Sequence, residues 1–177
     1  MAVISNKTGE IRMTFQVQPL PLALALALGI TAAHAQSAPP EQKPILDVEG
    51  NVKEGKALAF DRKELEKLGV TTIRTTTPWH DGVQTFEGVP MVTLMKEVGA
   101  KGAKVQVMAL NKYRTEIPME DFARHQPILA LKRDGKYMDV RDKGPLFIIY
   151  PFDSNPELKS EQYYSRSAWQ VRSITVE

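Results

Sequence analysis

Not one residue of this chain is a cysteine. A fold built from it has no disulfide to restrict its unfolded state, so a buried apolar core must hold it together. The same absence removes thiolate metal sites, iron–sulfur clusters and any cysteine nucleophile, because each needs sulfur as ligand or attacking atom. The 177 residues are 42% hydrophobic with a net charge of +2, the make-up of one globular domain rather than a disordered or fibrous chain.

Lys7 and Arg12 precede an apolar run over residues 20–30 that is too short to span a bilayer as a helix. The run ends in Ala33-His34-Ala35, a small-x-small cleavage pattern. Residues 1–35 are therefore predicted to be a signal peptide, leaving a mature chain that starts at Gln36 in the periplasm; an uncleaved anchor would leave the domain on the same side. Translation from Met13 is the alternative to Met1 and would leave the n-region without a charged side chain. Residues 36–44, with Pro39, Pro40 and Pro44, read as an extended tether, and residues 45–177 as a single domain. Loss of Lys7, Glu10 and Arg12 lowers the net charge from +2 to +1, with no long block of either sign. Nucleic acid is not an expected partner, because counterion release needs a clustered basic face.

Within the domain the pattern is of short strands and a few short helices, each closed by turn chemistry. Residues 56–60 read as a strand; Asp61, with Glu64 three residues on, then has capping-box spacing ahead of Leu65 and Leu68, which predicts a helix over 61–68. The β-branched run 70–77 predicts a strand ending at Pro78, followed by a loop bearing Trp79 and His80 and by extended chain over 83–86. Pro90 at a first helical position, with Leu94, Met95 and Val98, predicts a second helix closed by Gly99. Residues 104–110 form the next strand, before the turn Asn111-Lys112-Tyr113. Strands over 128–131 and 137–140 flank Asp134-Gly135, a strong hairpin signal. Residues 146–150 are continuously apolar, and 168–176 alternate. No βαβ rhythm persists, so the class is α+β with a mixed β-sheet and short flanking helices.

Several landmarks occur in a familiar order: Phe86-Glu87-Gly88-Val89, Ala109-Leu110-Asn111-Lys112-Tyr113, Ile117-Pro118, Ile128-Leu129-Ala130, Asp134-Gly135, Gly144-Pro145-Leu146, and Arg166 through Trp169. Together they resemble the molybdopterin-binding domain of the sulfite oxidase family. The resemblance covers most of the mature chain and implies that family's α+β fold. It also implies a cysteine ligand to molybdenum at the strand-to-loop junction around Thr75, Thr76 and Thr77, where this chain has threonine. A threonine hydroxyl is a poor ligand at neutral pH compared with thiolate, so the oxo-transfer centre does not carry over. The chain is more similar to small, secreted, cysteine-free members of the superfamily. Some of these bind reduced pterins without molybdenum and regulate a membrane-bound enzyme of cyclic-di-GMP metabolism.

That resemblance implies a pterin as ligand, no molybdenum cofactor and no metal, and the periplasmic domain of a membrane-bound signalling protein as partner. A pterin presents a flat ring and a donor–acceptor edge, so its receptor needs an aromatic face, an edge-reading carboxylate or amide, and donors for a carbonyl oxygen. Trp79 is the candidate for ring stacking, with a lid packed on the core as the alternative. Asn111 and Tyr113, at a strand end, are candidates for the edge, and otherwise a turn and a core phenol. Arg166 can offer two parallel donors, which lysine cannot match. Tyr150 and Asp153 flank the end of the apolar run. Asp153 is the carboxylate placed to accept from a pterin amino group, or else part of an Asp-Ser-Asn turn. Trp169 reads as core. With only three histidines, one of them His34 in the leader, a histidine metal cluster is excluded; a lone His80 titrates near neutral pH.

These residues support a ligand sensor with no catalytic residue. The surface that changes on binding is expected to be the helix over 90–98 or the segment 79–83. The contrasting class is a periplasmic molybdopterin-dependent oxidoreductase lacking the protein cysteine ligand. A scaffold that binds nothing is a third.

Overall fold

The computed structural model describes residues 43–177; the predicted signal peptide and most of the tether lie outside them. The described residues form two five-stranded sheets and four short α-helices. In order these are β1 (Leu46–Gly50), β2 (Leu58–Phe60), α1 (Arg62–Lys67), β3 (Thr71–Thr77), β4 (His80–Pro90), α2 (Met91–Glu97), β5 (Lys104–Ala109), β6 (Arg114–Pro118), α3 (Met119–Arg124), β7 (Ile128–Arg133), β8 (Lys136–Tyr137), β9 (Phe147–Ile149), α4 (Glu161–Arg166) and β10 (Val171–Val176). The first sheet runs β2-β1-β10-β5-β6, with β1 and β10 parallel and its other neighbours antiparallel. The second runs β3-β4-β7-β8, and β9 also pairs with β7. The expected α+β class with a mixed sheet is what forms.

Local chemistry sets several of these elements. Asp61 and Glu64 close a reciprocal capping box, at 2.8 Å and 2.7 Å, on α1. Asp134 and Gly135 both take positive φ, 48° and 76°, and turn β7 into β8 as the Asp-Gly pair predicts. β8 is only two residues long because Asp139 then accepts from the amides of Arg141 and Asp142, drawing the chain into a 3₁₀ turn. Pro90 caps α2 from outside, with ψ at 130°, so the helix begins at Met91.

The apolar runs in β7 and β9 do not alternate because both faces of these strands are covered. Leu129, Leu131 and Ile148 enter a large core shared with Val105, Val107, Val171 and Ile174 of the first sheet. Ile128, Ala130, Phe147 and Ile149 face a smaller one with Phe86 and Met138. Trp79 packs against both.

Elements with weak local signals were not predicted: β1, β6, α3 and α4. α3 and α4 are six residues each, below the length at which a helix persists without tertiary contacts, and neither has a side-chain N-cap. The predicted loop at residues 78–82 is also shorter in the structure. Thr77 pairs with His80, so only Pro78 and Trp79 form the turn of a β3–β4 hairpin.

At the register shift between Glu87 and Gly88, β4 comes so close to β7 that a Cβ on Gly88 would meet the Leu129 carbonyl and the Ala130 backbone. Gly88→Ala is expected to destabilise the domain by about 3 kcal/mol, measured as a lowered urea midpoint with unchanged slope.

Candidate functional site

β3 delivers the threonine junction and the turn after it delivers Trp79. Thr75 is completely buried, and both roles of its hydroxyl are taken: it donates to the Thr76 carbonyl at 3.2 Å and accepts from the Asp153 amide at 3.0 Å. One residue on, the Asp153 carboxylate accepts from the Thr76 amide and from the Thr76 hydroxyl, each at 2.6 Å. Lys159 closes the clasp at 2.7 Å. The lysine ammonium first, then the Thr76 hydroxyl and amide, hold the Asp153 carboxyl well below its usual range.

A metal bound at this junction through a side chain would need a free, soft or anionic donor. The two threonine hydroxyls are internally bonded and no thiolate exists, so the residues present do not fit a protein-held molybdenum. Among the described residues no group of three or more His, Asp or Glu gathers to hold a metal ion elsewhere.

Around the turn lies an aromatic nest. Half-buried Trp79 has ring centroids at 5.4 Å to Phe147, 6.1 Å to Phe152, 6.0 Å to Tyr164 and 5.6 Å to Trp169, all tilted or edge-on. Tilted and edge-to-face contacts suit the ring quadrupoles and fix the indole in place. Lys143 sits over the Trp169 ring at 4.6 Å. The turn after β5 approaches the same segment: the Leu110 amide donates to the Gln170 carbonyl at 2.9 Å and the Tyr113 hydroxyl to the Ser165 carbonyl at 2.8 Å. Asn111 is exposed, and its Oδ1 accepts from the Tyr113 amide while its amide nitrogen has no protein partner. Trp79 and Tyr113 thus both meet residues 164–169, and Asn111 lies in the turn that carries Tyr113.

The other predicted residues, Tyr150, Asp153 and Arg166, are engaged in internal contacts. Tyr150 is fully buried and donates to Asp121 at 2.8 Å; Arg166 donates to the same carboxylate oxygen at 2.8 Å. Burial first and the Asp121 bond second push the Tyr150 phenol far above its usual range, so it stays a donor. Arg166 also covers the Tyr163 ring, and its side chain is 16% exposed. As placed, Arg166 holds α4 to α3, Tyr150 holds the end of β9 to the same carboxylate, and Asp153 holds β3 to the 3₁₀ turn Phe152–Ser154.

Sequence reasoning missed Asp121, the hub of this network. Its one local signal was an acidic first turn directly after Pro118, a helix start that was not read as one. Tyr164 and Lys143 were missed because they reach the nest only through tertiary packing.

His80 begins β4 beneath the nest. Its Nδ1 meets the Thr77 hydroxyl at 3.0 Å, while Nε2 is buried without a partner. Burial first, then the charges of Arg133 and Lys143, lower its pKa below 6.5, so the ring is neutral at pH 7.

A cleft of about 630 Å³ lies apart from the nest, along the first residues of β3. None of the six predicted site residues lines it.

A family model described as "Oxidoreductase molybdopterin binding domain" matches residues 40–152. Among solved structures, the sulfane dehydrogenase SoxCD from Paracoccus pantotrophus is similar with a TM-score of 0.57 and 20% identity, over 76% of this chain and 38% of that one. The chain thus spans well under half of that protein's length, and the likeness is one of fold. No curated protein matches the chain.

Two outcomes test these assignments. Asp153→Ala is expected to cost about 2 kcal/mol, from loss of charge-assisted bonds, and to shift tryptophan emission, since both tryptophans sit in the nest. The His80 contribution has a definite sign: with its folded pKa below the unfolded 6.5, the unfolded chain takes up the proton first as pH falls. His80 therefore favours folding fully above about pH 6.5, and this is lost progressively at lower pH. His80→Leu should flatten the fall in urea midpoint between neutral and mildly acidic pH, and an unchanged slope would contradict the assignment.

Proposed function

The chain belongs to the family of oxidoreductase molybdopterin-binding domains, and from that membership, together with the internally bonded Thr75, we propose that it is a pterin receptor rather than an oxidoreductase. The proposed ligand is a reduced pterin without molybdenum. The observation that carries this reading is the hydroxyl of Thr75, buried and committed at both its donor and acceptor positions at the junction where the resembling oxidases present a cysteine thiolate.

In this reading the nest and the turn after β5 meet the pterin. Half-buried Trp79 gives the aromatic face, the free amide nitrogen of Asn111 a donor for the ring carbonyl, and the Tyr113 oxygen a remaining acceptor for an amino hydrogen. Lys143, over Trp169, adds positive charge beside the same surface. Arg166 and Asp153 support this surface from behind by holding α4 and the end of β3. No catalytic residue is proposed.

The resemblance to small secreted regulators supports the rest of the reading. The domain is exported to the periplasm by residues 1–35 and docks on the periplasmic part of a membrane-bound enzyme of cyclic-di-GMP metabolism. The ligand regulates that enzyme only by favouring one surface state of the domain over another. Family membership favours one competing reading, an oxidoreductase whose metal is held by the cofactor dithiolene alone.

Titration of the purified protein with a tetrahydropterin, followed by quenching of its two tryptophans, tests the ligand. Saturable quenching is expected, weakened at least about tenfold in Trp79→Ala, the loss of stacking worth roughly 1.4 kcal/mol. Equal binding by the variant would remove Trp79 from the site, and no binding by the parent would defeat the receptor reading.

A further inference from the structure

The cleft along β3 contains an unused strand edge. β3 pairs with β4 on one side only, and at seven residues it is the longest of the four strands that end the two sheet paths. Which of its backbone groups face outward follows from one bond. The Thr76 amide donates to Asp153, so it points away from β4. Backbone groups in a strand alternate sides with period two, and the register with β4 is unbroken from Thr71 to Thr76. Thr72 and Arg74 therefore also turn their N–H and C=O groups outward, and no hydrogen bond from another element engages them. Asp153 occupies this edge at Thr76; at Thr72 it opens into the cleft.

Natural sheets usually blunt such an edge with proline, lysine, a bulge or a covering loop. Here residues 70–73 are Val-Thr-Thr-Ile, all β-branched, with Val70 45% exposed. The cleft beside them is bounded by Ile73, Pro90, Val92 and Leu158, and its only ionisable lining side chains are Arg124 and His125. Both are basic. Arg124 is 63% exposed and holds Glu157 at only 3.4 Å, an exposed pair of little energetic weight that leaves it able to exchange partners. His125 is 7% exposed, and its Nε2 meets the Tyr163 hydroxyl at 3.0 Å, a hydroxyl that also donates to Glu157 at 3.3 Å.

We propose that this edge is a strand-addition site: an extended segment of a partner protein, bearing an acidic side chain among apolar ones, pairs with Thr72 and Arg74 and sets its carboxylate against Arg124. Main-chain bonds supply the affinity and the cleft the selection, as in other β-augmentation sites. The site deepens the docking half of the function proposed above and rests on it only for the existence of a partner. β3 also joins the two regions, since it leads directly into Trp79, while Phe152 packs on Trp79 and its neighbour Ser154 lines the cleft.

The test uses synthetic peptides of about eight residues, alternating valine with glutamate or, as control, with lysine. The glutamate peptide is expected to bind the whole protein saturably, to slow amide exchange at Thr72 and Arg74, and to bind at least about tenfold more tightly than the lysine peptide. Thr72→Pro removes the outward N–H at an edge position where proline is tolerated, and should weaken the glutamate peptide about tenfold, while Thr72→Ala should leave it within about twofold. Arg124→Glu should reverse the preference between the two peptides. Undiminished binding by a folded Thr72→Pro would overturn the proposal, as would unchanged exchange at Thr72 and Arg74 in the parent, which decides the matter if that variant does not fold. A dimer of the parent that Thr72→Pro dissolves would assign the edge to a second copy instead. Tetrahydropterin binding measured on the same variants separates the two claims, because Thr72 lies outside the aromatic nest and its substitution is expected to leave pterin affinity unchanged.

Discussion

The carboxylate of Asp153 fastens two stretches of chain that are far apart in sequence, and much of the candidate site rests on that clasp. It takes the Thr76 amide and hydroxyl at the end of β3, while its own backbone amide donates to the hydroxyl of Thr75. These bonds close the position at which a metal ligand would have to stand, and they fix the strand from which Trp79 departs. Phe152, next to Asp153, is one wall of the tryptophan nest. An electrostatic contact at the surface thus shapes the aromatic packing below it, because the 3₁₀ turn that carries Asp153 also carries Phe152 into the core.

A second polar network does comparable work on the other side of α4. Asp121, 3% exposed, is neutralised by Arg166 and further satisfied by the Tyr150 phenol. A buried carboxylate is costly unless paired and hydrogen-bonded, and here both conditions are met by groups that a ligand would otherwise use. Arg166 and Tyr150 have the right chemistry for a pterin edge, yet the fold uses that chemistry to seat the helix from which Tyr164 reaches Trp79. Their part in recognition is therefore one of positioning.

The legible parts of this fold were those with local causes. The Asp61–Glu64 box and the Asp134-Gly135 turn depend on neighbours in sequence, and each formed as expected; the alternation of β10 is broken at Ser173 and Ile174, both buried, next to the register shift with β5. β6, α3 and α4 were not legible, because their stability comes from packing against distant chain rather than from propensity. The site divides the same way. Trp79 was visible as an aromatic residue beside a proline, but its partners come from residues 147, 152, 164 and 169, and no spacing in the sequence brings those together. Asp153 was visible as a carboxylate at a strand end; that Thr76 would claim it was not.

The central claim is that a molybdopterin-binding fold here holds a pterin without a metal. The most direct measurement is mass spectrometry and fluorescence of small molecules released from the protein purified from its native host grown on molybdate, with molybdenum assayed on the same sample. The account predicts a reduced pterin and no stoichiometric molybdenum. Molybdenum in equal amount with the protein would contradict it and restore an oxidoreductase whose metal is held by the cofactor alone.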